Sequence, residues 1–356
     1  MNLIARWFQR NFSNPEVVIL LSFLIVGVAF FYFFGKMLAP AVVALIISYL
    51  LNGLVRRLNR LGMPQLLSVM LVFMVFLALL LFLLFGLLPL LTRQLSQLVQ
   101  QIPSYISEGQ VLLQRLPELY PEYINQQQLN EVVARLGTEF AGGGQKILAW
   151  SLSSVMGLVS LLIFLVLVPI LVFFMLKDRH QIVSWFRSYL PGNRKLVSSV
   201  WHEVDDQIGN YVRGKTLEIL IVGIVSYVVF LVLDLQYAAL LATIVGFSVL
   251  IPYIGAAVIT LPVSLVAFFQ FGWGWDFGAV FIAYGIIQAI DGNVLVPILF
   301  SEVVNLHPVA IIVAILFFGG LWGFWGVFFA IPLATLVSAI LSAWPREPAV
   351  ETVYAE

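Results

Sequence analysis

Asp291 is the residue whose type and position most favour a chemical role. It lies in the apolar segment Phe277–Phe300, close to Gln288 and Asn293. An ionisable side chain within a membrane span is costly and indicates a functional site by default. The carboxylate could bind a cation or carry a proton, with the two amides as oriented dipoles. The alternative is a structural Asp that caps half of a helix interrupted at Gly292.

Helix-breaking residues supply further candidate positions. The apolar stretches 237–271 and 306–344 are each interrupted, and their arms are too short to cross a bilayer comfortably. Non-helical backbone at membrane depth is tolerated only where protein or water satisfies it, so two re-entrant or broken-helix hairpins are predicted. The candidate substrate- or ion-binding residues at these breaks are Pro252, Gly255, Gly319, Gly320 and Gly323. His307, just before the second hairpin, could titrate near neutrality, and a plain loop residue is the alternative.

The two interrupted stretches resemble one another. Leu235 and Leu306 are 71 residues apart, as are Gly255 and Gly326, and each stretch follows one full span. Such spacing favours an inverted repeat, a known build for transporters whose site lies between broken helices. A chance match of common residues is the alternative.

A phosphate-loop lookalike lies at 209–216, where two glycines accompany Lys215 and Thr216. A phosphate loop joins a buried strand to a helix, whereas here an amphipathic helix pattern precedes the motif and a span follows it. We therefore expect no nucleotide to bind, and we interpret Lys215 as a cytoplasmic anchor of the span.

The elements that must position all these residues are membrane spans. Hydrophobic residues make up 62% of the 356 and charged residues only 10%, against about 45–50% and about 25% in soluble domains. The 18 Lys and Arg balance the 18 Asp and Glu, which gives no support for nucleic acid as a partner. The chain has no cysteine and no recognisable nucleophile or metal motif. We therefore expect a membrane protein, not an enzyme, with no metal or cofactor beyond a coupling Na⁺ or H⁺.

The predicted fold is an all-α integral membrane protein with about six full transmembrane helices plus the two hairpins. The full spans are Val17–Phe34, Met37–Val55, Gln65–Leu91, Ile147–Leu176, Thr216–Leu233 and Phe277–Phe300, with a turn at Gly35–Lys36. The expected organisation is an N-terminal three-span region 1–91, an extracytoplasmic amphipathic segment 92–146, the fourth span 147–176, cytoplasmic or interfacial amphipathic helices 177–215, a transport core 216–345 and a flexible tail 346–356. Segment 92–146 could contact a neighbouring subunit, lie on the bilayer or pack on its own domain.

Cationic residues near the span ends predict the orientation, because Lys and Arg favour the cytoplasmic side. They cluster before the first span, after the second span and in segment 177–215. These regions share one side if the spans alternate, and Arg346 follows the last apolar stretch. We therefore predict that both termini are cytoplasmic.

Several motifs together resemble the autoinducer-2 exporter family, in particular its PerM-type permeases. They are Phe173–Asp178, Gln207–Lys215, Val249–Gly255, Asp291–Pro297, Asn305–Pro308 and Gly319–Gly326. The resemblance implies a transporter of the bacterial inner membrane and a homo-oligomer, which in this family is a pentamer. Members are linked to export of autoinducer-2 or to sodium/proton exchange, so the substrate is not fixed by the family.

The leading hypothesis is a permease or secondary transporter, either an exporter of a small solute or a cation-coupled antiporter. Its site would lie between the two broken hairpins, near Asp291. The alternatives are a passive oligomeric channel and a structural or scaffolding membrane protein.

Overall fold

A computed structural model describes residues 15–114, 155–188, 195–252, 254–300 and 307–343, and within these ranges every regular element is a helix. The helices are α1 (Pro15–Arg60), α2 (Gln65–Phe82), α3 (Leu88–Gln114), α4 (Val155–Lys177), α5 (Arg179–Ser188), α6 (Lys195–Val232), α7 (Ala238–Ser248), α8 (Ile254–Phe271), α9 (Trp275–Ile290), α10 (Val296–Phe300), α11 (Pro308–Trp322), α12 (Phe324–Phe328) and α13 (Ala330–Ala343). A π turn at Leu83–Leu87 joins α2 to α3, and another at Asp291–Leu295 joins α9 to α10. The predicted all-α class is confirmed.

Five described helical stretches are long and apolar enough to cross a membrane. They are Met37–Arg60, Gln65–Val111, Gly209–Val232, Ile254–Phe271 and Trp275–Phe300. A sixth is added if Leu161–Lys177 and Arg179–Trp185, which meet at 82°, count as one. The chain is therefore an integral membrane protein that crosses the bilayer several times.

The predicted turn at Gly35–Lys36 is absent, because α1 runs through it as one helix of 46 residues. At about 1.5 Å per residue this helix is about 70 Å long. An isolated glycine costs a helix only about 1 kcal/mol, and the residues on both sides continue the helical pattern. The glycine signal was therefore too weak to end the helix.

The chain divides into two compact units, each of which is described by itself. The first unit comprises residues 1–69, 170–216 and 297–356, and the second comprises 70–169 and 217–296. The predicted transport core 216–345 is thus shared between them. Most of the predicted segment 92–146 lies outside the described residues.

The second unit is built on a buried apolar cluster from α6, α7, α8 and α9. Its most buried members are Phe230, Leu241, Val245, Val263 and Ala267. The crossing of α6 and α7 is close, because a side chain at Gly246 would meet the Ile219 carbonyl oxygen at 2.9 Å. Small residues at such a crossing allow helix backbones to approach within a membrane.

Candidate functional site

The predicted break in the first hairpin lies between α7 and α8. The prediction that both arms are too short to cross a membrane is wrong for α8, which is long and apolar enough to do so. Pro252 carries no backbone N–H, and the next turn begins with the Gly255 N–H donating to the Ile251 carbonyl at 2.9 Å. A side chain at Gly255 would overlap the Ser248 carbonyl oxygen, so only glycine fits there. Gly255 is thus needed for the turn itself, and Pro252 is compatible with it. Their proposed contact with a substrate stays a prediction.

The break in the second hairpin is narrower than predicted. Gly319 and Gly320 lie within α11, and the chain turns at Gly323, which has a φ of +60°. Glycine reaches this left-handed region without the steric penalty of a Cβ. At Gly326 a side chain would overlap the Phe318 carbonyl oxygen, which repeats the close approach seen at Gly255.

The helices of the two hairpins begin at matching intervals along the chain. α7 begins at Ala238 and α11 at Pro308, and α8 begins at Ile254 and α12 at Phe324. Both pairs of starts are 70 residues apart, close to the spacing that the sequence shows.

His307 caps α11 through its side chain. Its Nδ1 accepts a hydrogen bond from the Val309 N–H at 3.2 Å, and Pro308 occupies the first helical turn. An N-cap acceptor satisfies one of the free donors at a helix start. This contact favours the structural interpretation of His307, and its role in proton transfer stays a prediction.

Asp291 does not lie at an interruption, contrary to the sequence-based expectation. The helix continues through it as a π turn, in which the Val296 N–H donates to the Asp291 carbonyl. The helix is wider at Asp291–Leu295 and does not end at Gly292. Single π turns within α-helices are often found at functional sites.

Asp291 shares one face of α9 with two other polar residues, Gln288 and Tyr284. The Tyr284 hydroxyl donates to the Ala256 carbonyl of α8 at 2.9 Å. The Gln288 Nε2 and the Asp291 Oδ1 are sealed from solvent, and the Gln288 amide nitrogen has no hydrogen-bond partner among the described residues. Leaving a buried donor unsatisfied costs about 1–3 kcal/mol. A polar ligand that accepts this hydrogen bond would remove that cost.

Asn293 does not join this face. Its side chain is exposed, and its Nδ2 donates to the Ala289 carbonyl at 2.9 Å. The structure therefore brings Gln288 and Asp291 together and directs Asn293 elsewhere. Pro252 and Gly255 lie in the same second unit, whereas His307, Gly319, Gly320 and Gly323 lie in the first.

Two charged residues of α6 that were not among the predicted site residues are buried. Lys215 is 4% exposed and Glu218 is 2% exposed, so Asp291 is not the sole charge within a span. The Lys215 Nζ lies 5.5 Å from the centre of the Phe300 ring, an attractive cation–π distance. Lys215 is thus not an exposed anchor.

A helical stripe could have revealed these two residues. The buried face of α6 carries Tyr211, Lys215, Glu218, Val222, Ser226 and Phe230. These positions are three or four residues apart, which is the spacing of one helix face. Val222 belongs to the same buried cluster as Ile287. The face of α6 that holds Glu218 and the face of α9 next to Gln288 therefore border one apolar core.

The phosphate-loop lookalike is helical throughout, because α6 spans 209–216. Its backbone N–H groups are used within the helix, so they cannot cradle a phosphate as a loop does. The two glycines serve packing instead: a side chain at Gly209 would overlap the Tyr49 hydroxyl, and one at Gly214 would meet Phe300 at 2.9 Å. That no nucleotide binds stays a prediction.

An open pocket of about 340 Å³ lies in the second unit. It is lined by Gln94, Gln97, Gln101, Gln236 and Tyr237. The Gln94 Oε1 accepts from the Leu240 N–H at 2.8 Å, and the Gln236 N–H donates to the Gln270 Oε1 at 2.7 Å. Burial raises the pKa of the Tyr237 hydroxyl, while a hydrogen bond with Tyr105 acts in the opposite direction. The lining is therefore uncharged at neutral pH and offers both donors and acceptors.

Comparison with known proteins identifies relatives along nearly the whole chain. The model of the AI-2E family transporters matches residues 21–346. PerM of Escherichia coli strain K12, whose name assigns it provisionally to the permeases, is 45% identical over 345 residues, which are 97% of this chain and 98% of PerM. YueF of Bacillus subtilis strain 168, provisionally named a transport protein, is 27% identical over 90% of this chain and 89% of its own. The AI-2 transport protein TqsA of E. coli strain K12 is 25% identical over 92% of both chains.

Proposed function

Because the chain belongs to the AI-2E family of transporters, we propose that it moves a small solute or ion through a site at Asp291 and Gln288. Its action would be that of a secondary transporter, either a solute exporter or a cation-coupled antiporter. We place it in the bacterial inner membrane as a homo-oligomer. The prediction of a cytoplasmic N-terminus counted a turn at Gly35–Lys36 that α1 does not contain, so we keep only the cytoplasmic position of the turn that follows α1.

One observation carries this proposal: Asp291 and the unsatisfied amide of Gln288 share a face of a span, at the start of a π turn. A carboxylate accepts a cation or a proton, and a free amide donor suits an oxygen atom of a solute. A buried donor without a hydrogen bond costs free energy in an apolar surrounding, so it is not expected of a residue whose role is only structural. The nearby turn at Pro252 and Gly255, in the same unit, is a break of the kind found in transporter cores.

The choice of test substrates follows from the relatives and from the carboxylate. TqsA is named an AI-2 transport protein, so autoinducer-2 is the first solute to try. Na⁺ or H⁺ is the natural coupling ion, because a carboxylate within a span can exchange one for the other. Na⁺-driven proton movement is therefore the second readout.

The test uses reconstituted protein in proteoliposomes, with Asp291→Asn as the variant. Asp276→Asn is the matched control, because Asp276 lies on the same helix but is exposed. We expect Asp291→Asn to reduce transport at least about tenfold while the control and the oligomer are unchanged; one lost charge interaction of about 1.4 kcal/mol already gives that factor. Full transport by Asp291→Asn would overturn the role of this residue.

The same assay separates the two alternatives. A passive oligomeric channel would show single-channel conductance and no saturation at modest solute concentration. A scaffolding protein would transport neither probe, and changes at Gly255 or Asp291 would leave its cellular role intact. Either result would replace the transporter proposal.

A further inference from the structure

Helix α5 leaves the end of α4 at a right angle. The axes of Leu161–Lys177 and Arg179–Trp185 differ by 82°, and the bend falls at Asp178. A backbone hydrogen bond closes each helix at Asp178: the Asp178 N–H donates to the Phe174 carbonyl at 2.8 Å, and the Ile182 N–H donates to the Asp178 carbonyl at 3.0 Å. A helix perpendicular to an apolar span at its end lies parallel to the membrane plane.

The two faces of α5 differ in polarity. Ile182 lies in the middle of the apolar face, and Val183 and Trp185, which are 38% and 57% exposed, lie at its two edges. His180, Ser184 and Ser188 are exposed on the other side. The membrane–water boundary is where exposed Trp is favoured and where an amphipathic helix buries its apolar face by about 5–10 Å.

The corner of α5 is also cationic. Lys177 and Arg179 flank the bend, and the Lys177 Nζ shares the Asp178 carboxylate at a distance of 3.8 Å, with 44% of the lysine side chain exposed. An exposed ion pair is weak, so Lys177 can turn to another anion. The end of a membrane span lies at the depth of the lipid phosphate groups, and Lys177 and Arg179 flank the end of α4.

We propose that α5 lies in the headgroup layer, with Val183 and Trp185 towards the acyl chains, and that Lys177 and Arg179 bind the phosphate of an anionic phospholipid. Charge complementarity selects this partner, because each cation near an anionic leaflet gains about 1 kcal/mol. The inference does not depend on the transported solute. It adds a lipid site to a protein whose solute site lies elsewhere, on α9.

The orientation of α5 can be tested with spin labels, because the chain contains no cysteine. Val183→Cys and Ser184→Cys place labels on adjacent exposed positions, the first at the edge of the apolar face and the second on the polar face. In phosphatidylcholine–phosphatidylglycerol vesicles, we expect the label at 183 to be relaxed by oxygen, which enters lipid, and the label at 184 by a water-soluble nickel chelate. Equal accessibility of both labels would overturn the proposal. So would a label at 183 that neither reagent reaches, since it would then contact protein.

The headgroup preference needs a second measurement, with Lys177→Gln/Arg179→Gln as the variant. Arg213→Gln is the control, because Arg213 is an exposed cation on another helix. We expect phosphatidylglycerol to raise the unfolding midpoint of the parent and the control by about 2–4 °C over phosphatidylcholine alone, and the variant to show no rise. Inorganic phosphate added to phosphatidylcholine vesicles should not replace the lipid. A rise of the same size in the double variant would overturn the assignment of these two cations.

Discussion

Asp291, Lys215 and Glu218 show how far single residues can be interpreted from sequence. Asp291 was detectable because it is a rare charge within a long apolar run. Lys215 and Glu218 lie where a polar segment passes into a span, and Lys215 was interpreted as an anchor at that boundary. They are buried because of the way α6 packs. The three- and four-residue spacing of its buried face is visible in the sequence only if one continuous helix is assumed through 209–216.

Gln288 offers a test that separates stability from function. Replacing it with leucine, Gln288→Leu, removes an unsatisfied buried amide, so we expect the unfolding free energy to rise by about 1 kcal/mol and the midpoint to rise in a thermal scan. Transport should fall at the same time, because the donor for the solute is lost. Stabilisation with loss of activity is the usual pattern at a functional site.

The same change at an exposed position provides the control. Gln100 is exposed on α3, and Gln100→Leu should alter neither the midpoint nor transport. If Gln288→Leu lowers the midpoint, the amide is part of the packing and has no reserved role for a ligand.

At the scale of helices, the positions of the breaks were predictable but their extents were not. Proline and glycine marked the turns near Pro252 and Gly323. Gly319 and Gly320 stay helical, because a helix tolerates glycine when its hydrogen bonds are intact. The expected interruption at Asp291 is instead a π turn, for which the sequence carries no distinct signal. The proline and glycine residues therefore predicted where the hairpins turn, but they did not predict the local structure around Asp291.

Gly255 and Gly326 should be equally intolerant of a side chain. Gly255→Ala and Gly326→Ala each place a methyl group on a backbone carbonyl of the preceding helix, so each should lower the unfolding free energy by about 1–3 kcal/mol. Denaturation in detergent checks the prediction. Gly285→Ala is the control, since nothing lies within 4 Å of its new methyl group and alanine favours a helix. Equal stability of all three variants would contradict the close approach at the breaks.

Gln94 should hold α7 onto α3. Its side chain accepts the Leu240 N–H, one of the free donors at the start of α7. Gln94→Ala would leave that donor without its partner, and we expect a loss of about 1–3 kcal/mol. Hydrogen exchange at Leu240 should become faster. Gln97→Ala, at the same cavity, should leave that exchange rate as it is; a similar acceleration in both variants would argue against this specific bond.

For the whole molecule, composition was sufficient to predict an all-α membrane protein. It was not sufficient to predict where the compact units divide. Their boundaries at 69/70, 169/170, 216/217 and 296/297 fall within helices, where no linker composition marks them. A boundary within a helix has no Pro- or Gly-rich linker, so the sequence carries no signal for it.

The orientation of the molecule is open to a cysteine test in the cysteine-free background. Leu61, in the turn between α1 and α2, is 80% exposed, and Ser107 is exposed near the far end of α3. The cations before Leu61 predict that this turn is cytoplasmic. In intact cells, a membrane-impermeant thiol reagent should therefore label Ser107→Cys and spare Leu61→Cys until the membrane is permeabilised. The opposite labelling would reverse the orientation of α2–α3.

The two π turns have a consequence for how the sequences of relatives align with this chain. A π turn is the form that a helix takes when it accommodates one inserted residue without changing what is packed on either side of it. A relative could thus lose a single codon near Asp291 or near Gly86 and still align helix for helix with this chain. A gap of one residue in the alignment at either π turn would then mark an inherited insertion. At the second π turn the inserted residue lies next to Asp291, at the end of α9.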